Sequence, residues 1–170
     1  MDLYVLRHAV AIDRSSPDYI HDDSKRPLTR KGIRQMHRGA RGMKRLGLDF
    51  DIVLSSPYTR ARETAEIVVE ALEAEDTLEL FQPLTPEIPP EQAIRQLARR
   101  CEKLQSVLLV GHEPQLSAMG SILLSGTSGL ALELRKGGLF KLRVDQIQSG
   151  TAILDWWLTS RQLRRLGRSD

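Results

Sequence analysis

With Cys101 as its only cysteine, the sequence cannot close an intramolecular disulfide, and no cluster of Cys and His has the spacing of zinc ligands. A reducing compartment without a structural metal is therefore expected, with Cys101 serving as helix packing. Long apolar runs are missing too. No stretch reaches the roughly 18 residues that a membrane helix needs, and Met1 to Ala11 lacks the basic-then-apolar pattern of a secretory leader. These absences predict a soluble, cytoplasmic protein with no membrane partner. The chain also lacks a strong excess of either charge. Twenty-five Lys and Arg against 22 Asp and Glu leave a formal +3, which suits an anionic substrate but is too little to indicate nucleic acid. There is no internal repeat.

What the sequence does have is enough apolar material, 41% of 170 residues, for one core. A single domain over residues 1–160 is expected, with 161–170 as a basic C-terminal tail, a solvated helix end or frayed segment. Leu3 to Leu6, Ile52 to Leu54 and Val107 to Val110 are continuous apolar runs of the kind found in strands buried on both faces. Helical segments separate them. Thr29 is placed to cap a helix that runs to about Leu46 and stops at Gly47. Ser56-Pro57 is the N-cap and first-turn pairing of a second, which carries Ala61, Ala65, Val68 and Leu72 at helical spacing and runs to about Ala74. Glu91 to Lys103 reads as a third helix, and Pro114 opens a fourth bearing Leu116, Met119 and Leu123. From Phe140 to Asp145 the pattern alternates strictly, and Thr151 to Leu158 follows as a further strand. The expectation is an α/β fold: a three-layer α/β/α sandwich whose mostly parallel central sheet has an antiparallel edge.

In open α/β sheets, sites form beyond the carboxyl ends of the strands. The residues there are selective. The first buried run ends in Arg7 and His8, the second leads through Ser55, Ser56 and Pro57 to Arg60, and the third ends in Gly111 and His112. Arg62 lies about 200° around the helix from Arg60 and is expected in solvent. Taken singly, a histidine at a strand end is ordinarily a satisfied structural group, and an arginine early in a helix is ordinarily solvated. Four such residues at the ends of three buried strands can converge on one rim. Two guanidinium forks beside a helix N-terminus suit phosphate oxygens. A neutral imidazole can attack phosphorus and split one displacement into two, with no metal or cofactor required. Neighbouring arginine charges are expected to keep His8 unprotonated. His112 is cast as a donor to the phosphoryl oxygens. His21 and His37 are assigned no role.

These blocks resemble the histidine phosphatase superfamily. Its signature is an apolar strand followed by Arg-His, here Leu6-Arg7-His8-Ala9, with Ala9 where the family usually has Gly. Ser55-Ser56-Pro57-Tyr58-Thr59-Arg60-Ala61 with Thr64 and Ala65 matches the second block, and Val110-Gly111-His112-Glu113-Pro114 the third. The resemblance covers residues 2 to about 125 and implies a phosphoglycerate mutase-like fold. It also implies that His8 is the nucleophile, that Arg7 and Arg60 bind phosphate, and that His112 is the second catalytic histidine. Chain length and Asp23-Ser24-Lys25-Arg26-Pro27-Leu28-Thr29 resemble the small SixA-type phosphohistidine phosphatases, which implies that Arg26 helps to form the pocket. Larger relatives place an acidic proton donor in a Leu-x-Glu context. Here Leu84 is followed by Thr85 and Pro86, and Glu87 is the adjacent acid.

The missing acid points to the substrate. An alcohol leaving group needs a proton, whereas a phosphohistidine imidazole can be protonated on its own ring and leave neutral. The expected substrate is thus a phosphohistidine-bearing protein, such as a phosphotransfer domain. Two alternatives stay open: a phosphomonoesterase for a small metabolite or phosphopeptide, with Glu87, Glu91 or an acid between Asp13 and Asp23 giving the proton, and a noncatalytic phosphate-binding module.

Overall fold

The computed structural model describes residues 1–19 and 21–168. Strands β1 (Asp2–Arg7), β2 (Ile52–Ser55), β3 (Leu78–Leu80), β4 (Ser106–Gly111), β5 (Leu139–Arg143) and β6 (Ile153–Leu158) form one sheet in the order β3-β2-β4-β1-β5-β6. The first four run parallel, while β5 and β6 add antiparallel at the β1 side. This is the mixed sheet expected from the buried runs and the alternating segment after them. The three-residue β3 is too short to leave a periodic signal in the sequence.

Successive residues of each strand point to opposite faces, so each strand supplies two cores. On one face Leu3, Val5, Leu54 and Leu109 pack with residues of α3 (Pro90–Arg100) and α4 (Gln115–Ser125). On the other, Tyr4, Leu6, Val53 and Leu108 pack with residues of α1 (Arg30–Arg45), α2 (Thr59–Leu72) and α5 (Ser160–Leu166). The result is the three-layer sandwich. The chain leaves β1 toward one face and β4 toward the other, and a crevice opens between connections that diverge in this way.

Thr29 does cap α1: its hydroxyl accepts from the Gly32 amide at 2.9 Å and donates to the Val10 carbonyl. Gly32 is required there, because a Cβ would lie 2.1 Å from that carbonyl oxygen. The second helix starts later than Ser56-Pro57 suggested. Ser56 is still held by the sheet through its amide to the Val110 carbonyl at 2.9 Å, so the chain turns only afterwards, with Tyr58 as the N-cap of α2.

Of the two forms expected for the C-terminal segment, residues 160–166 take the helix, closed at its start by a capping box between Thr159 and Gln162, but it is docked rather than solvated, with Leu163 fully buried against α1. The basic composition concealed one apolar anchor in the middle of the segment. Positions 169 and 170 of the expected tail lie outside the described residues.

Candidate active site

The parallel pairing of β1 with β4 sets Arg7 opposite Gly111, so the next residue of each strand, His8 and His112, emerges at the same edge. Their ring centroids are 5.2 Å apart. Arg60 reaches them from the first turn of α2. With His8 and His112, the arginines Arg7, Arg26 and Arg60 line one cavity of about 510 Å³, which also includes Asp13, Arg14, Asp23, Glu87, Glu113 and Lys136. The structure thus gathers all five residues singled out in the sequence. Arg62 is exposed and pairs with Glu66, as its helical phase required. His21 and His37 are not among the cavity's lining residues.

The tautomer of His8 follows from its partners. Nδ1 lies 2.7 Å from the Ala9 carbonyl, which can only accept, so Nδ1 carries the proton and Nε2 keeps its lone pair. The Arg60 Nε–H points at that lone pair from 3.4 Å. Burial holds the His8 pKa well below its ordinary value, with His112 and then Arg60 and Arg7 adding to the effect against the Ala9 hydrogen bond. The sequence argument credited the arginines alone; withdrawal from water is the larger cause.

Ala9 stands where a glycine was expected, and it is not among the residues that line the cavity of the two histidines. Its amide donates to Thr64 Oγ1 at 3.0 Å, and Ala9 lines a separate small cleft with Met36 and Ser160. Thr64 also bonds back to the Arg60 carbonyl at 2.6 Å, which ties α2 to the turn after His8.

His112 Nε2 lies 2.8 Å from Ser56 Oγ, a hydroxyl able to complement either tautomer. Burial, followed by the Arg60 charge, lowers the His112 pKa to about 3, against the opposing pull of Asp23. His112 Nδ1 and Arg7 Nε are buried and have no partner among the described residues. Buried polar atoms of native proteins are normally satisfied.

The hub that sequence reasoning missed is Asp23. Its Oδ1 accepts from Arg14 Nε and Arg26 Nε, each at 3.0 Å, and its Oδ2 from Arg60 Nη2 at 3.0 Å. Arg60 Nη1 also donates to the Asp23 carbonyl at 2.7 Å, and Arg26 Nη1 to that of Ile12 at 2.9 Å. Burial acts to raise the Asp23 pKa, but the Arg14 hydrogen bond and the charges of Arg60 and Arg26 outweigh it and leave a value of about 2. One carboxylate thus orients three guanidinium groups and offsets part of their mutual repulsion. Its place in the Asp23-to-Thr29 block gave a motif but no geometry.

The remaining acids divide by environment. Glu87 accepts a short hydrogen bond from the Tyr58 hydroxyl, and this bond pulls its pKa below the ordinary carboxylate value, a poor state for a proton donor. Glu91 lines a different groove, beside Ile94 and Arg95, and not the cavity of the two histidines. Glu113, given no role by the sequence, is the pocket acid whose pKa burial raises, against hydrogen bonding from Ser117 and the charge of Arg7.

The buried histidines make stability depend on pH. The unfolded chain binds a proton at His112 near pH 6.5, whereas the folded chain does not until about 3. This contribution is therefore complete above about 6.5 and is lost as pH falls from there toward about 3. The slope is at most about 1.4 kcal/mol per pH unit for each such histidine. Urea midpoints measured down this range should fall less steeply for His112→Gln than for the wild-type protein. Parallel curves would show that His112 is not a buried neutral base.

The sequence matches the model of the histidine phosphatase superfamily (branch 1) over residues 3–80. An uncharacterized protein of Picosynechococcus sp. is 38% identical over 144 residues, covering 84% of this chain and 85% of that protein. Phosphohistidine phosphatase SixA of Escherichia coli is 32% identical over 117 residues, 67% of this chain and 68% of the relative. A structure of the protein histidine phosphatase SixA complexed with tungstate superposes with a TM-score of 0.81 at 25% identity, covering 96% of this chain and 99% of that one.

Proposed function

Because the chain belongs to the histidine phosphatase superfamily, as a SixA-like phosphatase, we propose that it removes the phosphoryl group from phosphohistidine on a protein, in the cytoplasm, through a covalent intermediate on His8. The observation that carries this reading is His8 Nε2, left unprotonated by the contact of Nδ1 with the Ala9 carbonyl and held beside Arg60 in a cavity that Arg7, Arg26 and His112 also line.

In the first step the Nε2 lone pair forms a bond to phosphorus while the bond from phosphorus to the substrate imidazole breaks. The leaving imidazole takes the bonding pair and departs neutral, its other ring nitrogen carrying the proton. Arg7, Arg26, Arg60 and His112 hold the phosphoryl oxygens and stabilise charge as it redistributes among them. Water then attacks phosphorus as the bond to Nε2 breaks; Nε2 takes back the bonding pair, both protons of the water leave with the phosphate as its dihydrogen form, and the imidazole is restored with its proton on Nδ1. Neither step requires a metal ion, so EDTA should leave turnover unchanged.

The leaving group decides between substrates. Glu87 is held as a carboxylate by Tyr58, which fits a reaction that needs no protein acid. Glu87→Gln should accordingly change phosphohistidine turnover by less than about threefold, the equivalent of under about 0.7 kcal/mol of barrier. A loss of two orders of magnitude would make Glu87 the proton donor. One observation favours the rival reading of a phosphomonoesterase for a small metabolite: Glu113, whose raised pKa suits it to protonate an alkoxide. A comparison of kcat/KM for a phosphohistidine protein and a panel of sugar phosphates separates the two. Preference for the protein supports the proposal, whereas a faster sugar phosphate whose turnover collapses in Glu113→Gln overturns it.

A further inference from the structure

Away from the catalytic cavity, α1 and α5 enclose a second concavity of about 380 Å³ lined by Arg38, Arg161, Arg164, Arg165 and Arg168 and by no other residue type. The two helices come close enough to share it through glycines. A Cβ on Gly42 would lie 2.2 Å from the Leu163 carbonyl oxygen, and one on Gly167 would lie 2.0 Å from that of Arg38. Among the described residues, none of the five arginines is in ion-pair distance of an Asp or Glu. Like charges gathered this way repel one another, and an anionic partner relieves that repulsion.

The overall +3 conceals this segregation. Residues 30–45 and 160–168 hold 11 of the 25 Lys and Arg and none of the 22 Asp and Glu, so elsewhere 14 basic residues face 22 acidic ones. This segregation favours an acidic partner at this face, since the remainder of the chain is net acidic outside the arginine cluster of the catalytic cavity. Neither segment contains Phe, Trp or Tyr on which bases could stack, a composition that favours carboxylates over single-stranded nucleic acid as the occupant.

The face adjoins the chemistry. Lys136 lines the catalytic cavity and also the small cleft whose wall includes Ser160, the first residue of α5. The Gly137 amide is bonded to the Arg7 and His8 carbonyls at 3.1 and 3.2 Å, which fixes this loop to the nucleophile. Arg161 follows at once, and the stretch from Arg161 to Arg168 extends about 10 Å along the helix. We propose that the arginine-lined concavity between α1 and α5 docks an acidic surface of the phosphoprotein substrate, whose phosphohistidine then enters the cavity past Lys136. This rests on the phosphohistidine reading above and adds how the protein part of the substrate is recognised.

The test uses a phosphorylated acidic histidine phosphotransfer domain, free phosphohistidine and p-nitrophenyl phosphate, with the wild-type protein and the exposed-site variants Arg161→Glu/Arg165→Glu and Arg161→Gln/Arg165→Gln. Thermal melts establish that each variant is folded. For the phosphotransfer domain, KM should rise about tenfold or more in the Glu pair and less in the Gln pair, with kcat unchanged. Added salt should raise the wild-type KM more than that of the variants. Kinetics on the two small substrates should not move. An unchanged protein KM, or equal changes on small and protein substrates, overturns docking while leaving the phosphohistidine reading intact. A wild-type enzyme that cleaves only p-nitrophenyl phosphate overturns both. Loss of duplex DNA binding in the variants without a change in protein KM assigns the face to nucleic acid instead.

Discussion

Replacing His8 with alanine should reduce phosphohistidine hydrolysis by about 10⁴-fold or more, because in the proposed mechanism its imidazole forms the bond to phosphorus. Phosphate binding should survive, since the anion-binding groups remain. Arg7 is anchored by Nη1 to the Leu134 carbonyl at 2.8 Å, and Asp23 still orients Arg14, Arg26 and Arg60. Single-turnover kinetics alongside phosphate titration separate the two effects. A variant with more than about a hundredth of the wild-type rate would exclude His8 as the nucleophile, because loss of a nucleophile costs far more than that.

The second large effect belongs to Arg60. Its side chain is almost wholly buried and serves three partners: the His8 lone pair, the Asp23 carboxylate and the Asp23 carbonyl. Arg60→Ala removes one preorganised donor to the phosphoryl oxygens, and such a loss costs roughly 10²- to 10³-fold in kcat. It also frees one oxygen of Asp23, so KM should rise as Arg26 and Arg14 lose their fixed orientation. Arg60→Lys keeps the charge but not the planar fork, and should recover only part of the loss. A fall in kcat of less than about threefold would put Arg60 outside the reacting geometry, since one such donor is ordinarily worth far more.

The site's chemical core was legible because each of its residues sits next to a strong local signal. Continuous apolar runs marked β1, β2 and β4, and the residues ending or following them are Arg7, His8 and His112. Helical phase alone separated Arg60 from Arg62. What was not legible depends on contacts across the chain. Asp23 lies in a polar loop where nothing in the sequence indicates that its carboxylate meets three guanidinium groups. Lys136 and Glu113 reach the cavity through loops whose path is set by the packing of β5 and α4. Ser56, read as a helix cap, is instead held by the sheet and turned to His112, and for that reason α2 begins at Thr59. Total charge concealed the arginine face, since a sum carries no information about segregation. The docking of the seven-residue α5 was not legible because a single apolar residue, Leu163, anchors it.

The central claim, a phosphoryl group passing through His8, is tested most directly by trapping it. Wild-type protein is mixed with a radiolabelled phosphohistidine protein in EDTA, quenched in alkali within a single turnover, and mapped by peptide. The account predicts transient acid-labile label on the peptide carrying His8, at Nε2, and none in His8→Ala. Full turnover with no labelled enzyme at any time, or label on another residue, would contradict it.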